Sequence, residues 1–209
     1  MDFSLCLVTD ENISGNRSVI DIVKSAVEGG VTMVQLREKK LSTRKIIERA
    51  IELKNILNHF HIPLIINDRL DIALAVKADG IHIGQSDMPF EMARKLIPES
   101  MIIGLSIETI EQALEAENYK VNYLGVSPVF PTPTKGNFDE KPWGLDGLRN
   151  LRKLSKHKLI AIGGINKSNA ADVIKAGADG LAVVSAICAA PDPKAATREL
   201  IDIIKTCRN

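Results

Sequence analysis

Residues 170–186 read Ala-Ala-Asp-Val-Ile-Lys-Ala-Gly-Ala-Asp-Gly-Leu-Ala-Val-Val-Ser-Ala, and they hold one unit of the plan on which the chain is built. Ala170, Val173, Ile174 and Ala176 recur at helical spacing, with Ser168 as the expected N-cap and Gly177 as the expected stop. After Gly-Ala-Asp-Gly (177–180) the period changes. Residues 180–184 are apolar at successive positions, the pattern of a strand buried on both faces of a parallel sheet. Ser185 ends the run.

The same unit recurs towards the N-terminus. Apolar runs occupy 3–8, 31–36, 63–66, 80–83, 101–105, 121–126 and 159–162, which with 180–184 makes eight. Amphipathic stretches separate them, for example Ile46, Ile47, Ala50, Leu53, Lys54 and Leu57. Lys-Ala-Asp-Gly (77–80) repeats the turn at 177–180, which implies quasi-repetition rather than a solenoid. Eight strand-helix units predict an α/β fold of the (β/α)8 TIM-barrel type, as one catalytic domain over residues 1–209. An open doubly wound sheet is the competing architecture. The unit count and the lack of a GxGxxG after the first strand stand against it. At 209 residues the loops must be short. Residues 128–144 are the exception, with Pro128, Pro131, Pro133, Pro142 and Gly136, and a loop of that length is usually functional or mobile.

Composition narrows the partners. A formal net charge of +1 gives no reason to expect nucleic acid or an anionic membrane surface. An apolar share of 45% with only 4% aromatics suits aliphatic strands and Ala-rich helices. Cys6, Cys188 and Cys207 have no metal-like spacing and are odd in number, so reduced thiols in a cytoplasmic protein are expected. Charged residues among the first twenty argue against a signal peptide, and no run approaches the roughly 20 apolar residues of a membrane span.

In a parallel α/β fold the strand ends of one sense share a rim, so residues distant in sequence converge there. Gly163-Gly164 after the seventh run and Ser185 after the eighth suit a phosphate held on backbone N–H groups. A tight turn that needs positive φ is the plain alternative. Asn67-Asp68 ends the third run and Asp87 follows the fourth, which puts two carboxylates within reach of one ion. Sparse oxygen ligands, completed by water and phosphate oxygens, are the habit of Mg²⁺. Each acid would otherwise cap the following helix. Arg37 and Lys39 follow the second run, and Lys135 lies in the long loop; each is otherwise a solvated rim charge. Two bare carboxylates repel a polyphosphate by several kcal/mol at close range unless a cation lies between them. Acids and bases on one mouth therefore suggest a diphosphate held by metal on one side and by Arg/Lys on the other, with Asn67 and Ser106 as further donors. Beside it, a second phosphate would anchor an acceptor, and transfer of a group between the two is the economical inference. His82 reads as a hydrogen-bonded core residue rather than a base. His59, His61 and His157 read as solvated, Lys158 lies at the opposite barrel end, and Trp143 is expected to pack the long loop. No Ser-His-Asp or Cys-His arrangement is defensible.

With those residues in view, the chain resembles the thiamine phosphate synthase family almost end to end. The motifs are Leu-Val-Thr-Asp (7–10), Val-Gln-Leu-Arg-Glu-Lys (34–39), Ile-Asn-Asp (66–68), His-Ile-Gly-Gln-Ser-Asp (82–87), Gly-Leu-Ser (104–106), Thr-Pro-Thr-Lys (132–135), Ile-Gly-Gly-Ile (162–165) and Val-Val-Ser-Ala-Ile (183–187). The resemblance implies coupling of hydroxymethylpyrimidine diphosphate with a carboxylated or plain thiazole phosphate, to give thiamine phosphate and diphosphate. It implies Mg²⁺ on Asp68 and Asp87. Arg37, Lys39, Ser106 and Lys135 would be the catalytic groups. The stretch Gln35-Leu36-Arg37-Glu38-Lys39, with Asn67, Ser106 and Lys135, would take the pyrimidine diphosphate. Thr132, Pro133, Thr134, Gly164, Val184 and Ser185 would take the thiazole phosphate. The family step is dissociative and needs no strong protein base. Partners would be these small molecules, with a homo-oligomer left open. Cys6 departs from the aromatic residue many members carry, which bears on packing or on the pyrimidine wall. A related thiazole tautomerase would need a general acid/base and no diphosphate grip. A non-catalytic precursor-binding protein is the rival of another class. The full set Asp68, Asp87, Arg37, Lys39 and Lys135 argues against both.

Overall fold

In a computed structural model that describes residues 1–132 and 141–208, every one of the eight apolar runs is a strand. These are β1 (Leu5–Val8), β2 (Met33–Leu36), β3 (Leu64–Asn67), β4 (Gly80–Ile83), β5 (Ile102–Ile107), β6 (Tyr123–Val126), β7 (Leu159–Ile162) and β8 (Gly180–Val183). Each pairs in parallel with the next, and β1 pairs with β8, so the sheet closes as a (β/α)8 barrel. The helices are α1 (Val19–Gly29), α2 (Thr43–Asn58), α3 (Leu70–Ala75), α4 (Phe90–Leu96), α5 (Ile110–Ala116), α6 (Gly144–Leu154), α7 (Ala170–Lys175), α8 (Ser185–Cys188) and α9 (Pro193–Arg208).

Strand alternation sorts the apolar residues into two layers. Outward-facing Leu5, Leu7, Val34, Leu36, Ile66, Ile81, Ile103, Leu124, Leu159 and Leu181 pack beneath the helices in the main core. Inward-facing Cys6, Val8, Met33, Ile65, Ile102, Tyr123, Ile160 and Ala182 fill the barrel. Burial on both faces is why the runs are continuously apolar.

Local signals place some of the helix starts. Ser18 accepts from the Asp21 N–H at 3.1 Å to cap α1, and Gly30 at φ +99 closes it. Ser42 and Thr109 cap α2 and α5 in the same way. Ser168 does not cap α7. Asn166 Oδ1 takes the Ser168 N–H at 2.9 Å and its hydroxyl at 2.6 Å, and this Asx turn delays the helix to Ala170. Gly177 ends the segment at φ +111, as expected.

The amino-terminal end of the barrel carries a motif repeated every second strand. The residue before β2, β4, β6 or β8 turns its side chain back to the strand before it. Thr32 Oγ1 accepts from the Leu5 N–H at 3.0 Å, and Asp79 Oδ2 from Leu64 at 2.9 Å. Asn122 Oδ1 accepts from Ile103 at 2.9 Å, and Asp179 Oδ2 from Leu159 at 2.9 Å. The same four residues donate their own N–H groups to Leu5, Leu64, Ile103 and Leu159. The two Ala-Asp-Gly turns of the sequence are thus two of four equivalent clasps. Lys158 lies at this end, its ammonium 2.8 Å from Asp179.

The flanks of the long loop are fastened to β7 and its following turn. Val129 and Phe130 donate to Ile162 O and Gly163 O at 2.8 and 3.1 Å, and Trp143 and Gly144 donate back to Pro128 O and Val129 O. Trp143 also packs partly buried against the main core, so it seats the start of α6.

Candidate active site at the carboxyl end of the barrel

A cavity of about 470 Å³ opens at the carboxyl ends of the strands. Gln35, Arg37, Lys39, Asn67, Asp68, Asp87, Ser106, Thr132, Gly164, Val184 and Ser185 all line it. For Gln35, Arg37, Lys39, Asn67, Ser106, Gly164 and Val184 this follows from parity: on each strand every second side chain points inward, and residues just past the strand end continue the series. Asp68, Asp87, Thr132 and Ser185 reach the cavity from turns and loops beyond the strands.

Parity also corrects two expectations. Leu36 falls on the outward positions of β2 and is buried in the core between sheet and helices. Glu38 is turned the same way. It pairs with Arg49 of α2, which also holds Glu11 at 2.9 Å, and burial pushes the Glu38 carboxyl above its ordinary range despite the guanidinium. Neither residue lines the cavity; both support the loop that carries Arg37 and Lys39. Pro133, Thr134 and Lys135 lie outside the described residues.

On the acidic side, Asp87 accepts the Gly84 N–H at 2.7 Å and therefore folds back into its own loop rather than capping α4, whose N-cap is Pro89. Asp68 has φ +62, donates its N–H to His82 O at 2.9 Å, and leaves its carboxylate to pair with Lys39. The side chains of Asp68 and Asp87 are within hydrogen-bonding reach of each other. Burial first, and the neighbouring Asp68 second, hold the Asp87 carboxyl above the usual carboxylate range, while Lys39 acts the other way. Two carboxylates so close need a cation, and the Lys39 ammonium stands beside them as one. Among the described residues no group of three or more His, Cys, Asp or Glu side chains gathers as a metal cage. An oxygen-only pair suits a hard divalent ion that keeps water and substrate oxygens as its other ligands. The donor set fits Mg²⁺.

The basic side is built from beneath. The Arg37 N–H donates to Thr9 Oγ1 at 3.0 Å, and its guanidinium lies 3.6 Å from the buried Asp10 carboxylate. Asp10 is a supporting residue that chemistry-based reading missed. Its signal was the Leu-Val-Thr-Asp motif at the first strand end.

Just past β7, Gly163 and Gly164 have φ +103 and +65. A Cβ on Gly164 would lie 2.8 Å from Phe130 Cβ and 2.9 Å from Pro131 O. The pair therefore serves the tight turn and the packing of the long loop, while its backbone lines the cavity. Asn169 donates to Gly164 O at 3.0 Å and keeps that carbonyl occupied. His82 is buried and hydrogen-bonded, as read from the sequence, yet it also lines the cavity together with Tyr123. Tyr123 went unread because its role depends on inward parity shared with Gly125. His157 is less solvated than expected: its Nε2 sits 2.9 Å from Ala116 O.

Comparison with known proteins adds independent findings. Residues 5–187 match the family model described as thiamine monophosphate synthase. Thiamine-phosphate synthase of Albidiferax ferrireducens is 53% identical over 203 residues, covering 96% of this chain and 92% of that protein. The corresponding protein of Vibrio campbellii is 50% identical, covering 97% and 98%. Thiamine phosphate pyrophosphorylase from Pyrococcus furiosus superposes with a TM-score of 0.91 at 40% identity, covering 99% of this chain and 98% of that one. A 3-hexulose-6-phosphate synthase structure, at 18% identity and TM-score 0.70, shares the fold alone.

Proposed function

The chain belongs to the thiamine monophosphate synthase family, and on that premise we propose that it joins 4-amino-2-methyl-5-hydroxymethylpyrimidine diphosphate to a thiazole phosphate, carboxylated or plain, with Mg²⁺. Its coarse activity is that of a transferase of thiamine biosynthesis, which forms thiamine phosphate. The observation that carries the finer reading is the Asp68–Asp87 pair, set beside Lys39 and Arg37 at one cavity mouth.

Asp68 and Asp87 would hold the ion, which would neutralise charge on the diphosphate and make it a better leaving group. Arg37 offers a fork to two phosphate oxygens, and Asp10 steadies its direction. Lys39 would exchange its bond to Asp68 for one to the diphosphate, so that its charge arrives with the substrate. Ser106 and Asn67 complete the polar wall. Met33, Ile160 and Ala182 contribute apolar surface to the cavity floor. Gly164, Val184 and Ser185 would receive the thiazole phosphate across the mouth, within the same cavity. Once the C–O bond to diphosphate breaks, electron donation from the aminopyrimidine stabilises the methylene cation and the thiazole nitrogen attacks it; a carboxylated thiazole then also loses CO2 and takes up a proton from water to give the same product. No protein base is required, in keeping with the plain carboxylate and ammonium set at the mouth.

The test is direct. Purified protein with both precursors and Mg²⁺ should release thiamine phosphate and diphosphate in equal amounts. Failure to form either product, with folded protein and both precursors present, would defeat the reading.

A further inference from the structure

Beneath the charged mouth, four polar side chains cross the interior from β2 to β6: Gln35, His82, Ser106 and Tyr123. All are buried, and all line the cavity. The Tyr123 hydroxyl lies 3.0 Å from His82 Nδ1, and Ser106 Oγ lies 2.8 Å from His82 Nε2. The Gln35 side chain lies within hydrogen-bonding reach of the Tyr123 side chain. The imidazole and phenol rings stack at 5.5 Å with an interplanar angle of 21°.

The neighbouring strands leave room for this chain of bonds. A Cβ on Gly104 would lie 2.1 Å from Tyr123 Cζ and 2.6 Å from His82 Nδ1, and one on Gly125 would lie 2.9 Å from His82 Cε1. Around it sit Cys6, Met33, Ile65, Ile102 and Ile160, among which polar groups are costly unless bonded in a consistent sense.

With a neutral imidazole, only two senses keep each hydrogen between one donor and one acceptor. In one, Ser106 donates to Nε2, Nδ1–H donates to Tyr123, and Tyr123 donates to the Gln35 carbonyl. In the other, Gln35 donates to Tyr123, Tyr123 donates to Nδ1, and Nε2–H donates to Ser106. The phenol is a stronger acid than the serine alcohol and so the better donor to a ring nitrogen. That difference in acidity selects the second sense.

We propose that Tyr123 and His82 form a positioning relay, with His82 held as the Nε2–H tautomer, that presents the Ser106 hydroxyl as a donor and the Gln35 carbonyl as an acceptor to the substrate. This rests on the proposed function and deepens it. A ligand that suits the relay has a hydrogen-bond donor at one end and an anionic oxygen at the other, as an aminopyrimidine diphosphate does. The reversed sense would aim an N–H at the amino group and lone pairs at the anion. Both ends flip together, so the tautomer of one buried ring sets the polarity of two walls.

Nitrogen-15 NMR of the full chain with labelled histidine reads that tautomer, with the His82 signals assigned by their loss in His82→Asn. The relay requires a protonated Nε2 and a bare Nδ1. A protonated Nδ1, alone or with Nε2, overturns it whatever the activity. In Tyr123→Phe the ring should become a mixture of tautomers. The kcat for thiamine phosphate formation should then fall about tenfold while KM for the thiazole phosphate stays unchanged. A single Nε2–H tautomer with unchanged kcat in that variant also overturns it. A wild-type protein that makes no thiamine phosphate sinks the proposed function and the substrate end of the relay, whereas a wrong tautomer in an active enzyme sinks the relay alone.

Discussion

Asp87 shows how one residue is shaped by two demands. Burial and the Asp68 carboxyl both raise its proton affinity in the folded chain. A carboxyl whose folded pKa lies above its unfolded value favours the fold below the unfolded pKa, and that contribution is lost as pH rises through the folded value. Near neutral pH the metal-free protein therefore carries an unfavourable pair. Asp87→Asn keeps an acceptor for the Gly84 N–H and should raise the metal-free melting temperature slightly, while thiamine phosphate formation at saturating Mg²⁺ falls by roughly a hundredfold or more, the scale of losing a main electrostatic stabiliser. Thermal melts and a product assay check both halves, and an unchanged rate removes the metal assignment. The cysteines behave differently. Burial pushes the Cys188 thiol up to about 11 and raises Cys6 strongly, whereas Cys207 is partly exposed. Thiol reagents at pH 8 should label Cys207 alone in the native protein, because the thiolate is the reactive form. Labelling of Cys6 without unfolding would contradict the buried interior. Spacing alone predicted reduced thiols but not which of them is reachable.

At the scale of elements, the strands were legible because both-face burial writes itself as unbroken apolar runs. Boundaries moved where side chains overrode them: β3 takes in Asn67, and β5 runs on through Ser106 to Ile107. Asn67 and Ser106 are polar inward positions at the cavity, where function displaces apolar residues, whereas Ile107 packs in the main core. Ser168 illustrates the opposite error, since Asn166 competes for the same turn. The four clasps under β1, β3, β5 and β7 each satisfy a strand-end N–H that has no ladder partner. Asn122→Ala should cost about 1 kcal/mol, the net worth of a typical hydrogen bond. Because the sites are far apart, adding Thr32→Ala should be close to additive in denaturant unfolding. A cost within error for the double variant would show the clasps to be ornamental. Gly104→Ala should be worse, roughly 1–3 kcal/mol of overpacking, because its methyl meets the Tyr123 ring.

Over the whole molecule the barrel divides its labour between its ends. The amino-terminal end holds the clasps and the Lys158–Asp179 and Arg152–Asp179 pairs, all structural. The carboxyl end gathers charge that is poorly balanced without ligand. Diphosphate and Mg²⁺ together should therefore stabilise the protein more than the sum of either alone, approaching about 2.7 kcal/mol at a hundredfold excess over Kd. Thermal shift in the four combinations tests this, and strictly additive shifts would deny a shared site. Periodicity and end-cluster chemistry, which depend only on neighbours along the chain, were enough to favour a closed parallel barrel over an open sheet and to point to its rim and to Asp68, Asp87, Arg37 and Lys39 upon it. What they left undecided was direction. Whether Leu36 and Glu38 face the cavity or the helices, whether His82 is core or site, and whether Tyr123 matters at all depend on strand parity and on contacts between residues forty positions apart. Those are set only when the sheet closes, since closure is what turns each strand's alternate residues into an inside and an outside.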